Sequence, residues 1–174
     1  MKAETIAVIG IKKSGKTTTI ENLTRELTKR GYNVAVIKHI SEPDFTIDTP
    51  GKDTWKFAQA GAKTIITAAT EETTTIEKIQ LENLPLNVLL KKCAGNHIIL
   101  IEGLKKQVAN NKNIPKIIVA KTKQEAENAI QNYKPIIAFS GPYTTNALSE
   151  EIPYADAQKN PEELVNIIEN KLFK

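Results

Sequence analysis

Apolar stretches of strand length alternate along the chain with stretches in which apolar residues recur at helical spacing. We predict strands over the ranges Thr5–Ile9, Asn33–Ile37, Lys63–Ala68, His97–Ile101, Pro115–Ala120 and Pro135–Phe139. We predict helices over the ranges Thr17–Arg30, Lys52–Ala60, Leu84–Cys93, Gln124–Ile130 and Pro161–Leu172. Such alternation is typical of βαβ units. The pattern therefore predicts an α/β fold with three layers, in which helices flank a mostly parallel central sheet.

Two of the predicted strands contain uninterrupted apolar runs. Ile98–Ile101 and Ile117–Val119 are continuous rather than alternating, as expected of strands covered on both faces, so we expect both inside the sheet. Ile40–Gly51 and Gly103–Ile114 fit no regular element, and each follows a predicted strand at the sheet edge where α/β proteins bind ligands. Thr70–Thr75 is predicted to form an edge strand or an exposed hairpin.

The length of 174 residues predicts one domain, residues 1–174, because single cores usually hold roughly 100–200 residues. Apolar residues make up 40% of the chain and charged residues 25%, as in ordinary globular proteins. No stretch approaches a membrane span, the apolar run near the amino terminus is too short for a signal peptide, and Cys93 has no partner for a disulfide. We therefore expect a cytoplasmic protein with no membrane contact.

The charge balance is mildly basic, with 24 Lys and Arg against 20 Asp and Glu. Proteins that bind nucleic acid usually cluster their basic residues on one face and offer aromatic rings for stacking. Only 5% of this chain is aromatic. We therefore predict no nucleic-acid partner.

The run Gly10-Ile11-Lys12-Lys13-Ser14-Gly15-Lys16-Thr17 matches the phosphate-binding loop G-x-x-x-x-G-K-[ST] in full. It stands between a predicted strand and an amphipathic helix, which is the context that the motif requires. Backbone N–H groups of such a loop and the helix amino terminus bind phosphate oxygens, Lys16 reaches the β- and γ-phosphates, and Thr17 is placed to ligate Mg²⁺. The simpler alternative is a glycine-rich turn that begins a helix, with its lysines in solvent. We predict a P-loop NTPase domain that binds a purine nucleoside triphosphate.

Glu102 directly follows the apolar run Ile98–Ile101, and Gly103 follows it. P-loop proteins need an acidic group on a neighbouring strand to hold the metal ion directly or through water. The end of a central strand should face the phosphate loop, so we predict a metal-binding role for Glu102. The alternative is an exposed glutamate at a strand end.

A second polar cluster follows the predicted strand Asn33–Ile37. It comprises Lys38, His39, Asp44, Asp48, Lys52 and Asp53. This mixture of carboxylates and lysines can hold Mg²⁺, orient water or bind a second anionic ligand. Asp48-Thr49-Pro50-Gly51 also fits a simple turn initiated by an aspartate, and a lone His39 is more typical of a polar residue at a strand end than of a catalyst.

The base specificity stays open at this stage. The guanine-reading loop of many GTPases has the pattern Asn-Lys-x-Asp, whereas Ala120-Lys121-Thr122-Lys123 offers the lysine without the aspartate. Ser140-Gly141-Pro142 is an alternative base loop. Spacing alone does not distinguish guanine from adenine.

In several segments the chain resembles the molybdopterin-guanine dinucleotide biosynthesis protein B family, MobB. These segments are Gly10–Thr18, Val36–His39, Asp48–Thr54, Ala60–Ala62 and Leu100–Lys105. The pairing of a Lys-His strand end with the Pro-Gly-Lys-Asp loop is the specific part of the resemblance. A phosphate-binding loop alone would indicate only a superfamily.

The resemblance implies a homodimeric GTP-binding adapter that assists the guanylyltransferase attaching GMP to molybdopterin, with at most slow GTP hydrolysis. It implies GTP and Mg²⁺ as cofactors, and molybdopterin as a further ligand. It implies that Lys16, Glu102 and Asp48 serve catalysis and that Thr17, Glu102 and Asp48 surround the metal. The nucleotide contacts that it implies are Gly10, Lys12, Lys13, Ser14, Gly15, Lys16, Thr17, Thr18, Lys38, His39, Lys52 and Asp53.

The leading alternative is a small-molecule kinase that uses ATP and binds a phosphate acceptor through the cluster around Lys38 and Asp48. Kinases of this size usually close an arginine-rich lid over the transferred phosphate. Arg25 and Arg30 are the only arginines of the sequence, and both fall on the first predicted helix. This distribution favours a binding protein over a kinase and predicts slow hydrolysis, because no arginine finger is available within the chain.

Overall fold

The computed structural model describes residues 3–144 and 151–173. In chain order the elements are β1 (Glu4–Ile9), α1 (Lys16–Lys29), β2 (Val34–Lys38), α2 (Asp53–Gln59), β3 (Thr64–Ala68), β4 (Thr73–Glu77), a short 3₁₀ turn (Leu81–Asn83), α3 (Leu86–Lys92), β5 (Ile98–Glu102), α4 (Lys105–Val108), β6 (Lys116–Val119), α5 (Lys123–Asn132), β7 (Ile136–Ser140) and α6 (Pro161–Leu172). They form two compact units, residues 40–89 and the remainder of the described chain.

The larger unit is built on a five-stranded sheet in the order β2-β5-β1-β6-β7, and every pair of neighbours is parallel. The prediction of a mostly parallel α/β sheet is confirmed. The apolar runs of β5 and β6 lie inside the sheet, as predicted, and their isoleucines are almost completely buried. Because parallel strands end at a common edge, the carboxyl ends of β1, β2 and β5 lie at the same edge of the sheet as the loop that follows β1.

Successive residues of a strand point to opposite faces of the sheet, and the apolar residues serve both faces. Ile6, Val8 and Leu100 belong to the core cluster that includes the apolar stripes of α1 and α6. Ile9 and Ile118 have the opposite parity and are also buried, which places them toward the face on which α5 packs. Helices therefore cover the sheet on both faces, as the three-layer prediction requires.

The carboxyl-terminal helix begins as the sequence predicts. The Asn160 side chain accepts a hydrogen bond from the Glu163 N–H, and Pro161 occupies the first turn. Leu164, Val165 and Ile168 are buried against the core. At the other end α6 is tied to α1, because Arg30 donates to Glu169 at 2.6 Å and to Glu26 at 2.8 Å.

One predicted strand lies outside the central sheet. Lys63–Ala68 was expected among the sheet strands, but β3 pairs only with β4, in an antiparallel hairpin within residues 40–89. The turn is closed by a hydrogen bond from the Ala69 N–H to the Glu72 carbonyl at 2.8 Å. An antiparallel hairpin needs only a short local turn, whereas a parallel strand needs a long crossover. The prediction for Lys63–Ala68 is therefore wrong as to the sheet, while the hairpin alternative for Thr70–Thr75 is confirmed.

The segment Gly103–Ile114, which fits no regular element in the sequence, contains the four-residue helix α4. Its first residues are two lysines and a glutamine, so it carries no apolar stripe that a pattern could reveal. Leu104 precedes it with a φ of 50°, an uncommon value for leucine. Among the described helices, none is long and apolar enough to cross a membrane.

A lysine is buried where β6 begins. The Lys116 side chain is fully inaccessible to solvent, and its Nζ donates to the carbonyl oxygens of Asn111 at 2.8 Å and Lys134 at 2.6 Å. Burial lowers the pKa of Lys116 from 10.5 to about 8, because a desolvated ammonium group is disfavoured. Its two hydrogen bonds hold the loops that precede β6 and β7 against the amino end of β6.

Lys116→Met should remove a pH-dependent part of the free energy of unfolding. In the unmodified protein that free energy should rise by up to about 3 kcal/mol as the pH increases from about 8 to 10.5, because the folded chain releases a proton that the unfolded chain keeps. Below that window both states are protonated, and this contribution is constant. Urea denaturation of both proteins across the window tests this, and parallel pH profiles would contradict it.

Candidate nucleotide-binding site

Two glycines, Gly10 and Gly15, determine the path of the loop between β1 and α1. Gly15 adopts a φ of 101° immediately before the helix, in the region that favours glycine. A Cβ on Gly10 would lie 2.5 Å from the Val119 carbonyl oxygen and would collide with the Ser14 hydroxyl. Gly10 therefore permits the loop to pass close to β6, and Gly15 permits it to enter the helix.

The amino end of α1 has unused hydrogen-bonding capacity. Of the described side chains, none caps this helix, and the first bond within it runs from the Thr19 N–H to the Gly15 carbonyl at 2.9 Å. The N–H groups of Lys16, Thr17 and Thr18 thus precede the helical ladder. The Ser14 hydroxyl is buried and has no hydrogen-bond partner in the described part of the chain. Such a set of donors fits phosphate oxygens.

Lys16 lies over the loop, and its Nζ donates to the Ile11 carbonyl at 2.6 Å. Partial burial lowers the pKa of Lys16, Glu102 opposes that shift, and the nearby cations Lys105 and Lys38 add to it. A cation that is partly desolvated and close to other cations gains from an anionic ligand. Lys12, Lys13, Thr17 and Thr18 are exposed on the same loop and the first turn of α1.

Glu102 stands at the carboxyl end of β5, opposite Val8 of β1 and Lys38 of β2 in the strand register. The Thr17 hydroxyl lies 3.2 Å from each of its carboxylate oxygens. The Lys38 ammonium lies 3.5 Å from Oε2. The structure thus brings together the two residues that the sequence predicts as metal ligands in this unit.

His39 follows β2 and is held by its backbone at the same edge. Its N–H donates to the Glu102 carbonyl at 2.9 Å, and a Cβ on Gly103 would meet the His39 Cβ at 3.0 Å. His97 precedes β5 at the opposite edge, where its Nδ1 accepts from the Asn33 N–H at 2.9 Å. The two histidines therefore serve different ends of the sheet.

Asp48, Lys52 and Asp53 lie in the unit formed by residues 40–89. The Asp48 Oδ1 accepts from the Thr49 N–H at 2.9 Å and from the Thr54 hydroxyl at 2.7 Å. Its Oδ2 is buried and has no hydrogen-bond partner in the described ranges. Lys52 directly precedes α2, and Asp53 pairs with Lys56 at 3.2 Å. Asp48 thus organises a turn with one oxygen and retains the other, and its metal role stays a prediction.

The two candidate base loops lie side by side. The Ala120 N–H donates to the Ser140 carbonyl at 3.0 Å, and the Tyr143 N–H donates back to the Ala120 carbonyl at 3.1 Å. In the first loop the Lys121 N–H donates to the Glu125 carboxylate at 2.9 Å, and Thr122 caps α5. The polar groups of that loop are thus largely used to begin α5.

Sequence reasoning missed two residues beside the phosphate loop. Lys105, in α4, is close enough to lower the pKa of Lys16. Gln158 comes from the segment before α6, and its Nε2 lies 3.8 Å from where a Cβ of Gly15 would stand. Lys105 could have been found from the sequence, because it follows the predicted metal-binding residue Glu102 by only three residues. No sequence pattern points to Gln158, because it reaches the phosphate loop only through the packing of the last helix.

A sequence model of the family described as molybdopterin guanine dinucleotide synthesis protein B matches residues 5–141. A relative from Methanocaldococcus jannaschii is 38% identical over 123 residues, 70% of this chain and 49% of that protein. The molybdopterin-guanine dinucleotide biosynthesis adapter protein of Haemophilus influenzae is 33% identical over 66% of this chain and 61% of its own length. The adapter protein of the same name from Escherichia coli is 34% identical over 53% and 54%. The matched part of the chain thus spans about half to three fifths of these relatives.

Solved structures share the fold over nearly the whole chain. A crystal structure of molybdopterin-guanine biosynthesis protein B superposes with a TM-score of 0.74 at 22% identity, covering 98% of this chain and 99% of that one. Bacillus subtilis MobB gives a TM-score of 0.73 at 22% identity, covering 94% and 96%. At this identity the likeness concerns the fold, and the family match rests on the sequence model. The chain belongs to the molybdopterin guanine dinucleotide synthesis protein B family, MobB.

Proposed function

We propose that this protein is a cytoplasmic GTP-binding adapter in molybdopterin guanine dinucleotide biosynthesis, which assists the guanylyltransferase and hydrolyses GTP slowly at most. The observation that carries the proposal is the placement of Lys16, Thr17 and Glu102 at one sheet edge, in a chain of the MobB family. The geometry supports the nucleotide site, and the names of the relatives support the pathway.

The triphosphate would be held by backbone donors and by lysines. The unused N–H groups of α1, the buried Ser14 hydroxyl and the Lys16 ammonium converge on the loop. Lys12, Lys13 and Lys38 add positive charge at the same edge. We assign nucleotide contacts to Gly10, Gly15, Thr18 and His39 through the backbone that they shape or provide.

The donor set also fits Mg²⁺. A hydroxyl oxygen and a carboxylate are already in contact at 3.2 Å, and magnesium prefers oxygen ligands that include carboxylates and phosphates. When bound, the ion would neutralise charge on the phosphates. We assign Thr17 and Glu102 to the ion. Asp48 stays a predicted metal ligand, and Lys52 and Asp53 stay predicted nucleotide contacts.

Slow hydrolysis follows from where the arginines lie. Arg25 donates to Glu21 and Asn22 on the same helix. Arg30, after the carboxyl end of α1, is engaged by Glu26 and Glu169. Arginine fingers in P-loop enzymes contribute about 10³–10⁵ in rate. Neither arginine stands at the phosphate loop, so the site favours binding over turnover.

The proposal includes a homodimer, which the family resemblance implies. Five large apolar side chains of residues 40–89 are at least half exposed, which is typical of surfaces that meet another protein. They are Phe45, Ile47, Phe57, Ile66 and Ile79.

The adapter role is tested by the rate at which a molybdopterin guanylyltransferase forms the dinucleotide at limiting GTP. Adding this protein should raise the rate, and the Lys16→Ala variant should not, because its phosphate site is lost. Lys171→Ala, on the exposed side of α6, is the matched control and should act as the unmodified protein does. No acceleration by the unmodified protein, or direct phosphorylation of a metabolite with ATP, would contradict the proposal.

A further inference from the structure

A cavity of about 450 Å³ opens beside the phosphate loop, wholly within the larger unit. It lies between the sheet face carrying Ile9 and Ile118 and the two helices α4 and α5, and it reaches Ile11 of the loop. The small side chains of Ala109, directly after α4, and Ala129, in α5, line it. Its volume is within the range of about 300–1,000 Å³ of small-molecule sites. It offers an apolar floor that could cover one face of a flat ring.

Two lysines stand at the rim nearest the phosphate loop. Lys105 and Lys106 line the cavity, both are exposed, and within residues 3–144 and 151–173 neither forms an ion pair. The one carboxylate of the lining, Glu125, already accepts a hydrogen bond from the Lys121 N–H. The lining therefore carries two lysines against one carboxylate, and this excess of positive charge would attract an anionic group.

Two carboxamides stand along the α5 side, one helical turn apart. The Asn132 Nδ2 donates to the Asn128 carbonyl at 2.7 Å, and the Asn128 Oδ1 accepts from the Gln124 Nε2 at 3.2 Å. Asn128 keeps Nδ2 as a donor, and Asn132 keeps Oδ1 as an acceptor, with no partner for either in the described part of the chain. A neighbouring donor and acceptor match the edge of a heterocycle that carries amide and amino groups.

We propose that this cavity binds a fused bicyclic heteroaromatic ring that carries a phosphate monoester. The ring lies on the apolar floor, its polar edge meets Asn128 and Asn132, and its phosphate meets Lys105 and Lys106. A pterin phosphate and a purine nucleotide share this chemistry. Resting on the proposed function, in which the phosphate loop already holds the purine nucleotide, we assign the cavity to a pterin phosphate.

The position of the cavity gives this ligand a place in the adapter function. α4 begins three residues after Glu102, with only Gly103 and Leu104 between them, so the lysine rim and the proposed metal site share one short segment. Gly10 and Ile11 belong to both the phosphate loop and the cavity lining. The phosphate of the pterin and the phosphates of the nucleotide would thus be held at the same edge of the sheet.

The test is a fluorescence titration of the full chain, without nucleotide or guanylyltransferase, using neopterin monophosphate as the probe. We expect saturable binding, and binding of neopterin without its phosphate should be at least about tenfold weaker, because charge-assisted hydrogen bonds are lost. No saturable binding of the probe, or equal affinity for inorganic phosphate, would overturn the proposal. GMP binding this cavity more tightly than the probe would overturn the assignment to a pterin.

The double variant Lys105→Ala/Lys106→Ala should weaken the probe by about tenfold or more, and Asn132→Ala should weaken probe and phosphate-free neopterin alike. Lys171→Ala is the matched control and should leave binding unchanged, and thermal unfolding verifies that each variant folds. Undiminished binding by the double variant would overturn the site. Because neither GTP nor the partner enzyme is present, a negative result here leaves the adapter test untouched, and a negative adapter test leaves this result standing.

Discussion

Lys16→Ala should weaken the binding of GTP with Mg²⁺ by about 100-fold, the equivalent of about 3 kcal/mol. The Lys16 ammonium is the charge that the fold holds directly over the phosphate loop, 2.6 Å from the Ile11 carbonyl. Removing it leaves the anion to backbone donors and to exposed lysines. Isothermal titration calorimetry measures the change in the dissociation constant directly.

Two further variants separate the charge of Lys16 from its shape. Lys16→Arg keeps a positive charge but replaces the compact ammonium with a planar guanidinium group. We therefore expect its affinity for GTP to lie between that of the unmodified protein and that of Lys16→Ala. Lys171→Ala removes an exposed lysine from α6 and should bind GTP normally. If Lys16→Ala bound GTP as the unmodified protein does, the glycine-rich turn would be only the beginning of a helix.

Glu102→Gln should reduce the gain in GTP affinity that Mg²⁺ provides by about tenfold, while binding without the metal stays the same or becomes stronger. The glutamine keeps the size of the side chain but removes the negative charge that attracts a divalent ion. Without metal, the loss of that charge also removes repulsion of the triphosphate. Titrations in Mg²⁺ and in a chelator distinguish the two effects.

The matched control for this variant is Glu4→Gln. Glu4 begins β1 at the opposite edge of the same sheet, so its neutralisation should leave the effect of Mg²⁺ on GTP binding unchanged. An equal dependence on Mg²⁺ in Glu102→Gln and the unmodified protein would remove the metal role of Glu102. The contact between Thr17 and Glu102 would then be a local hydrogen bond alone.

The sequence could predict the phosphate loop and its surroundings because these depend on local rules. A glycine that must adopt a φ of 101°, and a strand whose residues are apolar without interruption, both leave clear patterns. Glu102 follows from the same logic, because the end of an inner parallel strand must face the loop after its neighbour. The structure places it in contact with Thr17, although the roles of both residues stay predictions.

Other features depended on pairing that no single segment encodes. The composition of β3 is typical of a strand in the central sheet, but β3 pairs with β4, which begins nine residues later in the chain. Chain connectivity decides between the hairpin and the central sheet, because a short turn suffices for the hairpin. α4 is too short to show a periodicity, so the lysines of the cavity rim were hidden in a stretch without a pattern. Gln158 reaches the phosphate loop from more than 140 residues away, through the docking of α6.

The two edges of the sheet serve different purposes. At the amino edge, Tyr32 packs against His97 and stacks on Phe173, and its hydroxyl donates to Glu169 at 3.1 Å. These contacts secure the last helix. At the carboxyl edge, Lys16, Lys38 and Lys105 surround the carboxylate of Glu102, and the Ser14 hydroxyl lacks a hydrogen-bond partner among the described residues. The difference between the two edges supports ligand binding at the carboxyl edge and a structural role for the amino edge.

The proposed function requires a nucleotide site that binds guanosine triphosphate in preference to adenosine triphosphate. A competition titration tests it most directly, with a fluorescent GTP analogue bound to the protein in Mg²⁺ and displaced by GTP or by ATP. We predict that GTP displaces the analogue and that ATP requires at least about a tenfold higher concentration for the same displacement. Displacement by ATP at the same concentration as GTP would contradict the account and favour the kinase alternative.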